Sequence, residues 1–133
     1  MSYLFDASAI FKAIKEGKIE ILSGNHTIEL ARYELGNVLW KEQTLHRKIQ
    51  AKEAEKLAKT IKDIFKLLNV LNIACYEEEI LALAIKANLT FYDASYVHLS
   101  LKRNLTLVTE DANLTNKAKN YVKTIKLESF PTD

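Results

Sequence analysis

Short apolar runs alternate along this chain with longer stretches whose apolar residues recur every three or four positions. Few architectures accommodate that alternation. Short continuous apolar runs suit strands buried on both faces, and the helical period suits helices that cover them. Tyr3 to Phe5 is the first run, and a helix is predicted from Ala7 or Ser8, fading by Gly17. Ile19 to Leu22 is ambiguous; His26 to Ile28 reads as a short strand before a helix from about Glu29 to Gln43. Between Ile49 and Leu68, Ala54, Leu57, Ala58, Ile61, Ile64, Phe65 and Leu68 form one stripe of an amphipathic helix. Val70 to Ala74 reads as a strand and Glu77 to Ala87 as a helix, with Glu77, Glu78 and Glu79 suited to its positive end. Asp93 is predicted to open a helix running to about Lys102, and Thr106 to Thr109 is a strand. Asp111 starts a short helix and Val122 to Leu127 closes the chain as a strand. The expected fold is α/β: a three-layer α/β/α arrangement with a central, mainly parallel sheet, in one domain spanning residues 1–133.

Composition narrows the function classes. Three glycines and one proline leave no glycine-rich phosphate loop. No apolar run approaches the roughly 18 residues of a membrane span, and Met1 leads directly into a strand-like segment, so the expectation is a cytoplasmic protein without membrane contact. The lone Cys75 reads as a small buried hydrophobe in a reducing compartment.

Ligand sites in open parallel sheets form at the carboxyl ends of the strands. Here those ends are acidic: Asp6 in FDAS, Asp93 just after Phe91 and Tyr92, and Asp111 in VTED. Aspartate is also a favoured helix N-cap, and each of the three precedes a predicted helix, so each has a structural role open to it. Glu34 is harder to assign to structure alone. Leu30, Ala31 and Val38 stand three or four positions away, which sets Glu34 on or beside the core-facing side of its helix, with Asn37 one turn further on. A buried carboxylate needs a partner, such as Arg32 or a lysine.

Two carboxylates about 5 Å apart repel by roughly 3 kcal/mol at an effective dielectric of 20. Four gathered acids would accumulate on the order of 10–20 kcal/mol, comparable with a domain's net stability. Such a cluster must take up protons or hold a cation, and oxygen ligands without nearby Cys or His select Mg²⁺ or Mn²⁺. The expected catalytic and metal-binding set is therefore Asp6, Glu34, Asp93 and Asp111. His26, His46 and His98 lack ligand spacing and read as surface or capping residues.

Ser8 and Thr109 stand two residues from Asp6 and Asp111, where each hydroxyl either orients a carboxylate or satisfies backbone. Asn37 and Asn113 are further supporting candidates, and Glu110 is set aside as pointing away. With these four of the 17 acids neutralised, 13 remain against 19 basic residues. Many of the basic residues lie on the lysine-rich segment from Lys48 to Lys66, most simply read as a solvated helix face. Lys12 and Arg32, near the proposed acids in sequence, are the better individual candidates for contacting phosphates. Tyr92 and Tyr96 are read as core residues, with base stacking as the alternative.

The chain resembles the PIN-domain family, and within it the small VapC-type toxin ribonucleases of prokaryotic toxin–antitoxin pairs. The resemblance rests on D-A-S at Asp6 to Ser8, E-x-x-N at Glu34 to Asn37, D-A-S-Y-x-x-L from Asp93 to Leu99, and L-V-T-x-D from Leu107 to Asp111. It implies a metal-dependent endoribonuclease holding one or two Mg²⁺ or Mn²⁺ ions on the four acids. It also implies an RNA substrate, a homodimer and a cognate antitoxin. Some family members carry a further acid where this chain has Asn113. The competing expectation is a non-catalytic module of the same fold that binds RNA or protein. A receiver-like phosphoacceptor fits less well, since it asks for an acidic pair after the first strand.

Overall fold

The computed structural model describes residues 2–131. Five strands form one sheet: β1 (Tyr3–Phe5), β2 (His26–Ile28), β3 (Asn69–Leu71), β4 (Thr106–Val108) and β5 (Thr124–Ile125), in the order β3-β2-β1-β4-β5 with every pairing parallel. The helices are α1 (Ala7–Lys15), α2 (Leu30–Trp40), α3 (Ala51–Leu67), α4 (Glu77–Ala87), α5 (Phe91–Arg103) and α6 (Ala112–Ala118). The chain builds outwards from β1 to β3, then returns to the other side of β1 for β4 and β5. The order therefore reverses between β1 and β4, which opens a crevice beyond their carboxyl ends. No helix among the described residues is long and apolar enough to cross a membrane.

The central strands β1 and β4 are covered on both faces. Leu4, Phe5, Leu107 and Val108 are fully buried, and the core extends through Ile10, Leu22, Leu35, Ile64, Tyr96 and Leu99. Helix α5 runs through the interior, with every residue from Ala94 to Ser100 buried. Such a helix has no solvent face over that stretch, and of its polar side chains His98 keeps its buried Nε2 without a hydrogen bond, 3.3 Å from Glu79, while the two serines find internal partners. Ser95 and Ser100 do so by donating to the carbonyls of Phe91 and Tyr96.

Several expectations are corrected. Ile19–Leu22 is a 3₁₀ turn, and α2 ends in a π turn over Lys41–Leu45. Helix α5 starts at Phe91, capped by the Thr90 hydroxyl, which accepts from the Asp93 N–H; Asp93 lies inside the first turn and is not the cap. The expected last strand shrinks to Thr124–Ile125, because Glu110 Oε2 accepts from the Leu127 N–H at 2.7 Å and the chain there turns into a 3₁₀ segment. The third strand is Asn69–Leu71 and not Val70 to Ala74, because the Asn72 side chain accepts from the Ala74 N–H and bends the chain off the ladder. Cys75 is exposed, in that turn, with a left-handed φ of 77°. His98 is buried against the Tyr76 ring with Glu79 nearby, because α5 buries every position there. Ala58 is exposed, so it drops out of the stripe; Leu57 packs against the core while half-buried, and α3 is fully buried only later, at Ile61, Ile64 and Phe65.

Candidate active site

Parallel register brings the first two elements of the site together. Phe5 pairs with Val108, and the Asp6 N–H donates to the Val108 carbonyl at 3.1 Å. Asp6 and Thr109 are thus the next cross-strand neighbours, one step beyond the paired strands. Asp6 is also the N-cap of α1: its Oδ1 accepts from the Ala9 N–H at 2.9 Å and from the Ser8 hydroxyl at 2.6 Å. Its Oδ2 accepts a short hydrogen bond from the Thr109 hydroxyl. Ser8 Oγ in turn accepts from the Glu110 N–H at 3.0 Å, and Thr109 Oγ1 from the Asp111 N–H at 3.1 Å. Both roles open to these hydroxyls are therefore filled at once: each orients the carboxylate and each satisfies backbone.

Asp6 is only 6% exposed. Burial pushes its carboxyl up to about 6, against the pull of the Ser8, Thr109 and Ala9 hydrogen bonds, and the charge of Glu34 adds to the rise. Glu34 reaches the site from α2, beside the buried stripe of Ala31, Leu35 and Leu39. Its Oε1 accepts from the Tyr96 hydroxyl at 2.6 Å. Partial burial raises its pKa, the Tyr96 bond lowers it, and the charge of Asp93 raises it again. Asp93, in the first turn of α5, is raised by burial and then by the charge of Asp111, with Lys117 acting the other way. Asp111 caps α6, its Oδ1 accepting from the Asn113 and Leu114 N–H groups at 2.9 and 3.1 Å.

The four acids therefore form a chain along the sheet edge in which Asp6 senses Glu34, Glu34 senses Asp93, and Asp93 senses Asp111. The closed cage of the sequence expectation does not form. Among the described residues no three Asp, Glu, His or Cys side chains are gathered to hold an ion by themselves. Mg²⁺ does not require such a cage; it commonly keeps several waters and takes one or two carboxylates together with substrate phosphate. The donors fit that mode. Among the described residues no donor uses Glu34 Oε2 or either oxygen of Asp93.

The remaining candidates divide. Asn37 is exposed, because it lies two positions from Leu35 and so about 200° around the helix from the buried stripe. Asn113 is exposed and supplies its backbone N–H to Asp111. Lys12 is bound to Glu110 at 3.0 Å and lies 3.9 Å from Glu16, and Arg32 is bound to Glu29 at 2.7 Å with its guanidinium over the Phe65 ring. Both cations are thus engaged within the protein, and Arg32 pairs with Glu29 rather than Glu34. Tyr92 is 61% exposed, contrary to the core reading, because it sits in the first turn of α5 before the helix enters the interior.

Sequence reasoning placed Tyr96 in the core, as found, but did not foresee its bond to Glu34, and it missed Lys117. Tyr96 is a core residue whose hydroxyl is spent on Glu34; burial, then the bond and charge of Glu34, push its pKa far above the ordinary tyrosine range. Its place in D-A-S-Y, three residues after Asp93, was the available signal. Lys117 Nζ donates to the Asn88 carbonyl at 2.6 Å while its charge acts on Asp93, and nothing in the sequence marked it.

Comparison with known proteins bears on this arrangement. A family profile described as PIN domain matches residues 2–120. No curated protein matches the chain significantly. Among solved structures, the crystal structure of PAE2754 from Pyrobaculum aerophilum aligns with a TM-score of 0.80 at 31% identity, over 97% of this chain and 92% of that one. PIN domains are generally nucleases and typically depend on a divalent metal. With the family profile covering most of its length and a fold shared with PAE2754, the chain belongs to the PIN-domain family.

Proposed function

We propose that this protein is a cytoplasmic, metal-dependent endoribonuclease that hydrolyses RNA phosphodiester bonds. The observation that carries the reading is the convergence of Asp6, Glu34, Asp93 and Asp111, from the ends of β1 and β4 and from α2 and α5, on one edge of the sheet, with Asp6 buried and braced by Ser8 and Thr109 and with Glu34 held by Tyr96. Asp6, Glu34 and Asp93 are each disfavoured as charged groups by burial and by a neighbouring acid, and a cation relieves that cost.

A divalent ion, when bound, supplies a water of lowered pKa and charge neutralisation at the phosphate. The protein's own residues divide the remaining work. Ser8, Thr109 and the Ala9 N–H fix Asp6 in one orientation, so its lone pairs are aimed before anything binds. The Tyr96 hydroxyl holds Glu34 by one oxygen and leaves the other open. Asp93 accepts no hydrogen bond among the described residues, which makes it the carboxylate best able to take a proton from an attacking water.

The finer reading is the toxin of a toxin–antitoxin pair, acting as a homodimer and restrained by a cognate antitoxin. It is supported by the order of the D-A-S, E-x-x-N, D-A-S-Y and L-V-T-x-D motifs. Incubation with a mixed RNA pool, with and without Mn²⁺, followed by sequencing of cut ends, tests the activity. Cleavage that needs the ion and disappears in Asp6→Ala is expected; identical ends from both proteins would remove the assignment.

A further inference from the structure

The same sheet edge carries a second feature. One strand over from the acids, the carboxyl ends of β2 and β3 open into an apolar groove of about 300 Å³, lined by Ile28, Leu71, Tyr33, Phe91, Tyr92 and Asn72 among others. Its walls are the first turns of α2 and α5; Asp93 lies in the second of these and Glu34 directly after the first. Tyr33 precedes Glu34 and Tyr92 precedes Asp93, and consecutive helical side chains diverge by about 100°. The two helices therefore present a pair of acids towards β1 and β4 and a pair of tyrosines towards β2 and β3.

These tyrosines are unusual for a small core. Tyr33 is 72% exposed and Tyr92 61% exposed, and neither ring packs on another aromatic among the described residues. The groove rim adds polar capacity: Asn72 uses its side-chain oxygen on the Ala74 N–H, while its amide donors make no hydrogen bond among the described residues. Adjacent strands are about 4.8 Å apart, so the groove lies on the order of 10 Å from the β1–β4 crevice, the reach of a nucleotide or two.

We infer that this groove receives one unstacked nucleobase of a single-stranded RNA, seated against Tyr33 and Tyr92, while a neighbouring phosphate lies at the acids. The inference rests on the nuclease reading for the identity of the polymer. Its physical basis is separate: every base has a face that an exposed aromatic can stack on, and duplex RNA keeps its bases out of reach. The acids repel phosphate until neutralised, so an uncharged contact beside them supplies affinity that does not depend on charge.

The test measures equilibrium binding of a fluorescent ten-nucleotide oligouridylate and of an abasic ribose-phosphate oligomer of the same length, in chelator so that nothing is cut. The wild-type protein is expected to bind the oligouridylate tighter by about fivefold or more. Tyr33→Ala/Tyr92→Ala is expected to lose that difference, and Tyr33→Phe/Tyr92→Phe to keep it. Equal binding of the two oligomers by wild type, or a difference that survives the double alanine change, overturns the inference. Tyr92-dependent self-association with equal binding of the oligomers would mean a second copy fills the groove, and also overturns it. Base-dependent binding without metal-dependent cleavage of any RNA would remove the nuclease reading and leave the base site standing. Cleavage without base-dependent binding would do the reverse.

Discussion

Asp6 and Asp93 are the same residue type on the same edge of the sheet, and the fold treats them in opposite ways. Asp6 is buried and accepts from Ser8, Ala9 and Thr109, while Asp93 is half-buried and accepts from no donor among the described residues. The first is structure and site at once; the second has a charge and little else to do with it. A carboxylate that caps a helix has a sufficient structural reason to exist. One set inside a first turn already capped by Thr90 has only the helix dipole and the charge of Lys117 in its favour, and Asp93 thereby becomes the residue on which the functional reading most depends.

Removing the charge at either position should have the largest effect, and it should be the same effect. Asp6→Asn and Asp93→Asn are each expected to lower metal-dependent cleavage by about 10²–10⁴-fold, read as initial rates on a single-stranded substrate. Retained activity in Asp93→Asn would separate the two residues and assign chemistry to Asp6 alone.

A smaller loss is expected from the brace on Asp6. Thr109→Val keeps the shape and removes the hydroxyl, which should lower cleavage by about 10–100-fold, with Thr109→Ser restoring most of it. Because Asp6 would lose a hydrogen bond that favours its charged form, the acidic limb of the pH–rate profile should also move to higher pH. A loss of rate with an unmoved limb would make Thr109 a packing residue only.

Stability against pH sharpens the contrast further. The Asp6 carboxyl stands at about 6 in the folded protein against 3.8 ordinarily, so folding favours its protonated form. That stabilisation is complete below pH 3.8 and is lost as pH rises through 6. The metal-free protein should therefore lose on the order of 2–3 kcal/mol between pH 4 and pH 7, and Asp6→Ala should flatten the curve, as followed by urea denaturation. Glu34 and Asp93 are raised too and act in the same direction.

The smallest effects distinguish the two aspartates by fold alone. At pH 5, Asp6→Ala should cost about 1–3 kcal/mol, for a lost cap and for hydroxyls left without their acceptor. Asp93→Asn should cost nothing at pH 5 and add under about 1 kcal/mol at pH 7.5, its half-exposed charge being partly screened. Equal losses in the two variants would mean that Asp93 is as structural as Asp6.

Much of this was legible in the sequence. The apolar runs at Tyr3–Phe5 and Thr106–Val108 mark β1 and β4 because strands buried on both faces leave no polar alternation to confuse them. The acids were legible because they follow those strands or interrupt an apolar pattern. What stayed hidden depends on tertiary arrangement. Tyr96 reads as core from its spacing, and only the approach of α2 to α5 gives its hydroxyl a carboxylate. Asn37 looked equivalent to Glu34, yet a rotation around α2 sends it to solvent. Lys12 and Arg32 looked free because their partners Glu110 and Glu29 are fixed by side-chain direction, which sequence does not carry. His98 became buried through the path of α5 through the interior, a property of the whole domain rather than of its own neighbours.

The proposal that joins these elements is that the acids along this edge hold a hydrated cation through one or two carboxylates, Asp93 among them. Thermal unfolding at pH 7.5 against Mn²⁺ concentration measures it without RNA. Wild type should gain about 2.7 kcal/mol at a hundred times the dissociation constant, and Asp93→Asn should forfeit most of that gain. Equal stabilisation of both proteins, or none in either, would contradict the account.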